Sequence, residues 1–166
     1  QKNIGPAGLT IVIIDRAFME LGNKKIPNIL KYSEHSKCNS MLNTPPTFAW
    51  YMAGKVFKWI KRSGGLEYFR DQNHIKASKL YKFIDNSSFY TNEVDIENRS
   101  IMNVPFFLDD DELDSTFLNE AEENNLLNLK GHRSVGGMRA SIYNAMPLEG
   151  VEELIKFMNY FETKYG

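Results

Sequence analysis

The chain has 166 residues, about one ordinary domain at roughly 150 residues per domain. Apolar residues at 42% and charged residues at 25% match a globular average and exclude a disordered tail, a collagen-like repeat and a coiled coil. Twenty basic residues against twenty-one acidic ones leave a net charge of −1, whereas nonspecific nucleic-acid binding would want a basic excess.

The chain opens Gln1-Lys2-Asn3-Ile4-Gly5-Pro6 without a methionine and is expected to be a piece of a longer polypeptide. Its longest purely apolar run, Ile11-Val12-Ile13-Ile14, is far short of the roughly 20 residues that cross a bilayer. Leu9–Ile14 is rich in β-branched residues after Gly5-Pro6-Ala7-Gly8, which predicts a buried strand. The double proline in Asn43-Thr44-Pro45-Pro46-Thr47 forbids helix before it and suits a first helical turn after it. A helix is therefore expected over 46–62, with Phe48, Met52, Val56, Trp59 and Ile60 as its apolar stripe. Ser63-Gly64-Gly65 stops it, and a domain boundary is placed there, dividing residues 1–64 from 65–166.

A second helix is expected over 66–84, ended by Asp85-Asn86-Ser87-Ser88. Short strands follow at 89–91 and 101–108, the latter with Pro105 marking an edge or bulge. Asp109 with Glu112 resembles a capping box for a helix reaching about Asn124. Segments 126–129 and 138–143 are read as further strands, and 148–165 as an amphipathic helix with Val151, Leu154, Ile155, Met158 and Phe161 on one face. Strands mixed with helices without strict alternation predict an α/β chain ending in a small α+β unit.

Three places can carry chemistry. In Gly131-His132-Arg133-Ser134-Val135-Gly136-Gly137-Met138-Arg139, glycines permit close backbone approach and arginines match oxyanions with paired hydrogen bonds. Arg139 stands at the mouth of a predicted strand, where a charge is costly unless an anion meets it. The bland alternative is a flexible turn with solvated charges and one internal salt bridge. Asn43 and Thr44 precede a helix N-terminus, a ready phosphate site, although simple N-capping accounts for a threonine there equally. Lys2 borders a glycine-rich turn, and a lysine so placed is ordinarily solvated. Cys38 is the only cysteine and has no base near it in sequence, and the three histidines form no zinc pattern. No metal, membrane or nucleic-acid partner is expected, and the lone thiol fits a reducing, cytoplasmic compartment.

These signals coincide in one family. Gln1-Lys2-Asn3-Ile4-Gly5-Pro6-Ala7-Gly8-Leu9-Thr10 resembles the cofactor-lysine segment of the phosphoserine aminotransferases, pyridoxal-phosphate enzymes of the aspartate-aminotransferase fold (fold type I). Asn43-Thr44-Pro45-Pro46-Thr47-Phe48-Ala49-Trp50-Tyr51 is similar to their second signature. The run from Gly131 to Ala145 resembles the third, and Asn98-Arg99-Ser100 with Met102-Asn103-Val104-Pro105-Phe106 the fourth. The resemblance covers essentially the whole chain in the expected order. It implies the C-terminal part of such an enzyme: the end of the large cofactor-binding domain, then the small α+β domain.

On that resemblance, Lys2 matches the lysine joined covalently to pyridoxal 5'-phosphate, and Gln1 a residue beside the cofactor phosphate. Asn43 and Thr44 match the pair that reaches the cofactor phosphate of a neighbouring subunit, which implies a homodimer. Arg139 matches the arginine on the substrate α-carboxylate, and His132 and Arg133 the residues on the substrate's own phosphate. The implied reaction is ping-pong transamination. Glutamate leaves as 2-oxoglutarate and 3-phosphohydroxypyruvate leaves as O-phosphoserine, in serine and, in bacterial members, pyridoxine biosynthesis. The family's ring-stacking aromatic and its aspartate at the pyridine nitrogen have no counterpart here, so the chain by itself is expected to be inactive. Two other readings stand beside this one: a non-catalytic α/β module binding a phosphorylated metabolite, and a related transaminase with altered substrate choice.

Overall fold

The computed structural model describes residues 2–166, and Gln1, with its expected cofactor contact, lies outside them. The chain divides into two compact units, Gln1–Trp59 and Ile60–Gly166. Among the described residues no helix is long and apolar enough to cross a membrane.

The first unit holds helices α1 (Arg16–Glu20) and α2 (Tyr32–Lys37) and most of α3 (Thr47–Arg62). Asp15 starts α1 by accepting a hydrogen bond from the Phe18 N–H at 3.0 Å, the usual service of an aspartate at an N-cap. The expected strand over 9–14 is not formed. Its β-branched side chains suit a pleated surface, yet no second strand pairs with them among the described residues, and Ile13 is 97% exposed. α3 begins and ends close to expectation, but its buried positions are Ala49 and Ala53. The apolar stripe is therefore rotated away from Phe48 and Trp59, both of which are exposed.

The second unit is an α+β layer. Helix α4 (Gly65–Asn86) leads into strands β1 (Tyr90–Thr91) and β2 (Asn103–Leu108). Helix α5 (Asp114–Glu123), strand β3 (Met138–Ser141) and helix α6 (Leu148–Tyr165) complete it. The strands form an antiparallel sheet in the order β1-β2-β3. Val104, Phe106 and Leu108 of β2 and Met138 and Ala140 of β3 are buried, and the residues between them are half-buried. This alternation of two sends one sheet face into the core and the other outward. Phe117 of α5 is fully buried at the centre of the core. Its ring stands 5.0 Å from Phe161, 5.1 Å from Phe157, 5.8 Å from Phe106 and 6.2 Å from Tyr90, all edge-on, the orientation aromatic quadrupoles favour.

Pro105 lies on the middle strand, where its missing N–H would ordinarily break a ladder. β1 pairs only with Phe107 and Leu108, so beside Pro105 that side carries no strand. The side-chain amide of Asn92 donates to the Pro105 carbonyl instead. The expected capping box is displaced by one residue. Asp110, rather than Asp109, accepts from the Glu112 N–H at 3.0 Å, and a 3-10 turn over Asp111–Leu113 precedes α5. The segment expected as a strand at 126–129 forms none; Leu129 O accepts from the Arg139 N–H, and the isolated bridge beside it joins Lys130 with Met138. Arg99, inside the fourth signature string, is structural. It forms a paired salt bridge with Asp85 at 2.7 and 2.8 Å and lies 4.6 Å over the Tyr81 ring.

Candidate functional site

In the second unit the hairpin ahead of β3 carries His132 and Arg133, and Arg139 follows on β3. The hairpin closes through Gly131 N–H to Gly137 O at 2.8 Å, while the Val135 and Gly136 N–H groups both donate to His132 O, at 2.8 and 2.9 Å. Two glycines are required by space. A Cβ on Gly131 would stand 1.9 Å from Gly136 O, and one on Gly137, whose φ is +56°, would stand 2.5 Å from the Phe107 ring. His132 and Arg133 are exposed on the turn.

Arg139 lies on β3 opposite Pro105, on the sheet face turned away from the core. Its backbone N–H donates to Leu129 O at 2.6 Å. Its Nε is buried and has no hydrogen-bond partner among the described residues. Among the described residues neither Arg133 nor Arg139 forms an ion pair, which removes the internal salt bridge as the reason for either arginine. A buried guanidinium N–H left unpaired is costly, and a carboxylate bound in the paired geometry of arginine would satisfy it.

The turn after β3 is held from α4 by residues that composition did not mark. Lys76 is only 2% exposed. Its Nζ donates to the carbonyls of Ile142 at 3.1 Å, Tyr143 at 2.8 Å and Met146 at 2.8 Å. Burial pulls the Lys76 pKa below the ordinary lysine value, while three acceptors reward the protonated form that supplies three donors. Asn73, one turn earlier and equally buried, donates from Nδ2 to Asn144 Oδ1 at 2.8 Å. Tyr143 OH donates to Asn103 Oδ1 at 2.9 Å, and Ile142 N–H donates to Met102 O at 2.9 Å. These bonds tie the end of β3 to both α4 and β2. The available signal was a lysine and an asparagine spaced three apart on the apolar face of a helix that also buries Phe69, Ala77 and Leu80.

In the first unit, Lys2 is exposed. A Cβ on Gly5, just after it, would stand 3.5 Å from the Ala53 backbone N, so the lysine segment runs against α3. Asn43 and Thr44 are exposed ahead of α3, and Asn43 Nδ2 donates to Thr44 O at 3.3 Å. Asn43 also borders a cleft of about 690 Å³ that Gly8, Thr10, His35 and Trp50 help to line, and Lys2 is not among its walls. The structure thus places Asn43 and Thr44 side by side ahead of α3, and carries His132 and Arg133 on the turn that leads into the strand of Arg139 in the second unit.

The family model "Aminotransferase class-V" matches residues 1–154. A phosphoserine aminotransferase of Acinetobacter baylyi is 58% identical over 166 residues, which are 100% of this chain and 46% of the relative. One of Buchnera aphidicola is 55% identical over the same coverage. The solved phosphoserine aminotransferase from Bacillus circulans subsp. alkalophilus superposes with a TM-score of 0.94 at 46% identity, covering 99% of this chain and 46% of that one. A pyridoxal-phosphate-bound phosphoserine aminotransferase from Trichomonas vaginalis reaches a TM-score of 0.77 at 43% identity, covering 82% and 39%. The chain spans about half the length of the curated relatives it matches. With a family model covering nearly its whole length and the α/β fold of these enzymes along it, this chain belongs to the class-V aminotransferase family.

Proposed function

We propose that this chain is the lysine-bearing, substrate-binding part of a pyridoxal-phosphate-dependent phosphoserine:2-oxoglutarate aminotransferase. The observation that carries the reading is the buried Nε of Arg139, unpartnered among the described residues, on the strand that follows the His132–Arg133 turn. Neither Arg133 nor Arg139 has a carboxylate partner among the described residues, which suits a ligand that carries acidic groups. The resident side chains also suit the cofactor by donor chemistry. The chain offers a primary amine at Lys2 for an aldehyde, and an amide and a hydroxyl at Asn43 and Thr44 for a phosphate. Gln1 and Lys2 would hold the cofactor on one protomer, and Asn43 and Thr44 would reach across a homodimer to the partner's.

When bound, pyridoxal phosphate supplies the electron sink for charge at the substrate Cα. Lys2 Nζ, in its neutral form, takes the proton from Cα as general base and returns it as general acid. Arg139 grips the α-carboxylate shared by glutamate, 2-oxoglutarate, 3-phosphohydroxypyruvate and O-phosphoserine. His132 and Arg133 hold the phosphate carried only by the last two. The exposed single thiol, Cys38, suits a reducing compartment such as the cytoplasm. The aminotransferase names of the relatives weigh against a non-catalytic module.

The test is to express the complete reading frame that encodes this chain and follow O-phosphoserine formed from glutamate and 3-phosphohydroxypyruvate. Turnover is expected. Arg133→Ala is expected to lower the preference for the phosphorylated over an unphosphorylated 2-oxo acid by about 10- to 100-fold, the worth of one charge-assisted contact. Equal use of both 2-oxo acids by the unaltered enzyme contradicts the reading.

A further inference from the structure

We infer that Ser134 is a positioning residue that sets the tautomer of His132, so that the imidazole meets a phosphorylated 2-oxo acid with an Nε2–H donor. This rests on the phosphate-binding reading of His132 and extends it to a neighbour with no assigned role. The backbone around His132 is fixed: its carbonyl accepts from both Val135 and Gly136, and Gly131 bonds to Gly137 across the base of the hairpin. Against that frame Ser134 directs two groups at one ring nitrogen. Its Oγ lies 2.7 Å from His132 Nδ1, and its backbone N–H donates to the same Nδ1 at 3.3 Å.

A backbone N–H can only donate, so Nδ1 accepts and carries no proton. The serine hydroxyl, which can rotate to give or to receive, then donates to it as well. A neutral imidazole has one ring proton, which is left on Nε2. Nε2 has no partner among the described residues, and the ring is exposed on the turn beside Arg133. Phosphate oxygens of a dianion only accept. The tautomer that Ser134 selects presents a donor to them, whereas the other would set a ring lone pair against negative charge.

The complete enzyme labelled with 15N-histidine, examined by long-range 1H–15N NMR at about pH 8.5, two units above the reference histidine value, reads the tautomer without any turnover. His132→Gln identifies the resonance. The native chain is expected to show Nε2–H for His132, Ser134→Ala to admit the Nδ1–H form, and Ser134→Thr to restore the native pattern. In the complete enzyme, Ser134→Ala is expected to raise KM for the phosphorylated 2-oxo acid about fivefold, one hydrogen bond's worth. Both kcat and the KM of an unphosphorylated 2-oxo acid stay unchanged. Nδ1–H in the native chain overturns the proposal, as does a Ser134→Ala enzyme whose two KM values move together or not at all. If instead His132→Gln has no phosphate-selective defect while the tautomer is as expected, the phosphate role of His132 fails and the tautomer assignment survives.

Discussion

Replacing Lys76 with methionine isolates the energetic role of one buried ammonium. The substitution keeps the length and apolar stem of the side chain and deletes only the head group, so packing against α4 neighbours is largely retained. The head gives three hydrogen bonds, to Ile142, Tyr143 and Met146, from a residue 2% exposed. Methionine offers no donor, and three carbonyls lose their partner at about 1 kcal/mol or more each. Relief of the buried charge returns part of that, and a net loss of about 3 kcal/mol is expected. At a urea slope of about 2 kcal/mol/M this moves the unfolding midpoint down by about 1.5 M. Both tryptophans, Trp50 and Trp59, lie in the first unit, so their fluorescence is the wrong probe. Far-UV circular dichroism, which is weighted toward the 22-residue α4 and the 18-residue α6, is the right one. Hydrogen exchange at the Ile142 amide, which bonds Met102 O, supplies a local check and is expected to lose protection. A variant within about 0.5 kcal/mol of the native chain, the range of an ordinary surface substitution, refutes the clamp.

Other perturbations reach different parts of the structure. Phe117→Ala removes a fully buried ring that touches four others and is expected to cost about 3–5 kcal/mol in urea unfolding of the second unit. A loss under about 1 kcal/mol would mean the core collapses around the void. Gly131→Ala puts a methyl where Gly136 O stands, so the turn must open and the complete enzyme is expected to lose affinity for the phosphorylated 2-oxo acid. Equal KM values for variant and native enzyme would show that the turn geometry does not matter. Tyr90 is buried, with its hydroxyl donating to Met158 O at 2.8 Å, and burial first, then Glu162, drives its pKa far above the ordinary tyrosine value. The folded state therefore keeps a proton that the unfolded chain releases above about pH 10. Stability present below that pH falls as the pH rises further. Urea titrations between about pH 9 and 11.5 are expected to show a shallower alkaline decline for Tyr90→Phe than for the native chain, and identical slopes contradict the assignment.

Much of the second unit was legible because its periodicities are clean. The helix over 148–165 has the expected bounds, and Val151, Leu154, Met158 and Phe161 are buried on it. Partner-dependent features were not legible. β-branched composition at 9–14 reports a liking for a pleated surface, but a ladder needs a second strand, which the described residues do not provide. On α3 the face was legible in part: Met52, Val56 and Ile60 are half-buried beside the buried Ala49 and Ala53, whereas Phe48 and Trp59 are exposed, and the alanines' small size is invisible to a count of bulky apolar groups. Of the candidate site, Arg139 was readable as a costly charge at a strand mouth, and in the fold its Nε is buried without a partner among the described residues. Lys76 was hidden among ordinary charges, since only the fold brings three carbonyls from some seventy residues downstream onto its head group. Ser134 was in plain view within the glycine-rich string, yet its hydroxyl acquires meaning only from the turn that aims it at an imidazole.

The covalent role proposed for Lys2 is tested most directly by reductive trapping. The complete polypeptide is incubated with pyridoxal phosphate, treated with borohydride, digested and mapped by mass spectrometry. A phosphopyridoxyl group on Lys2, absent from Lys2→Ala protein, is the predicted result. Stoichiometric labelling of a different lysine, or none at all in the folded native protein, contradicts it.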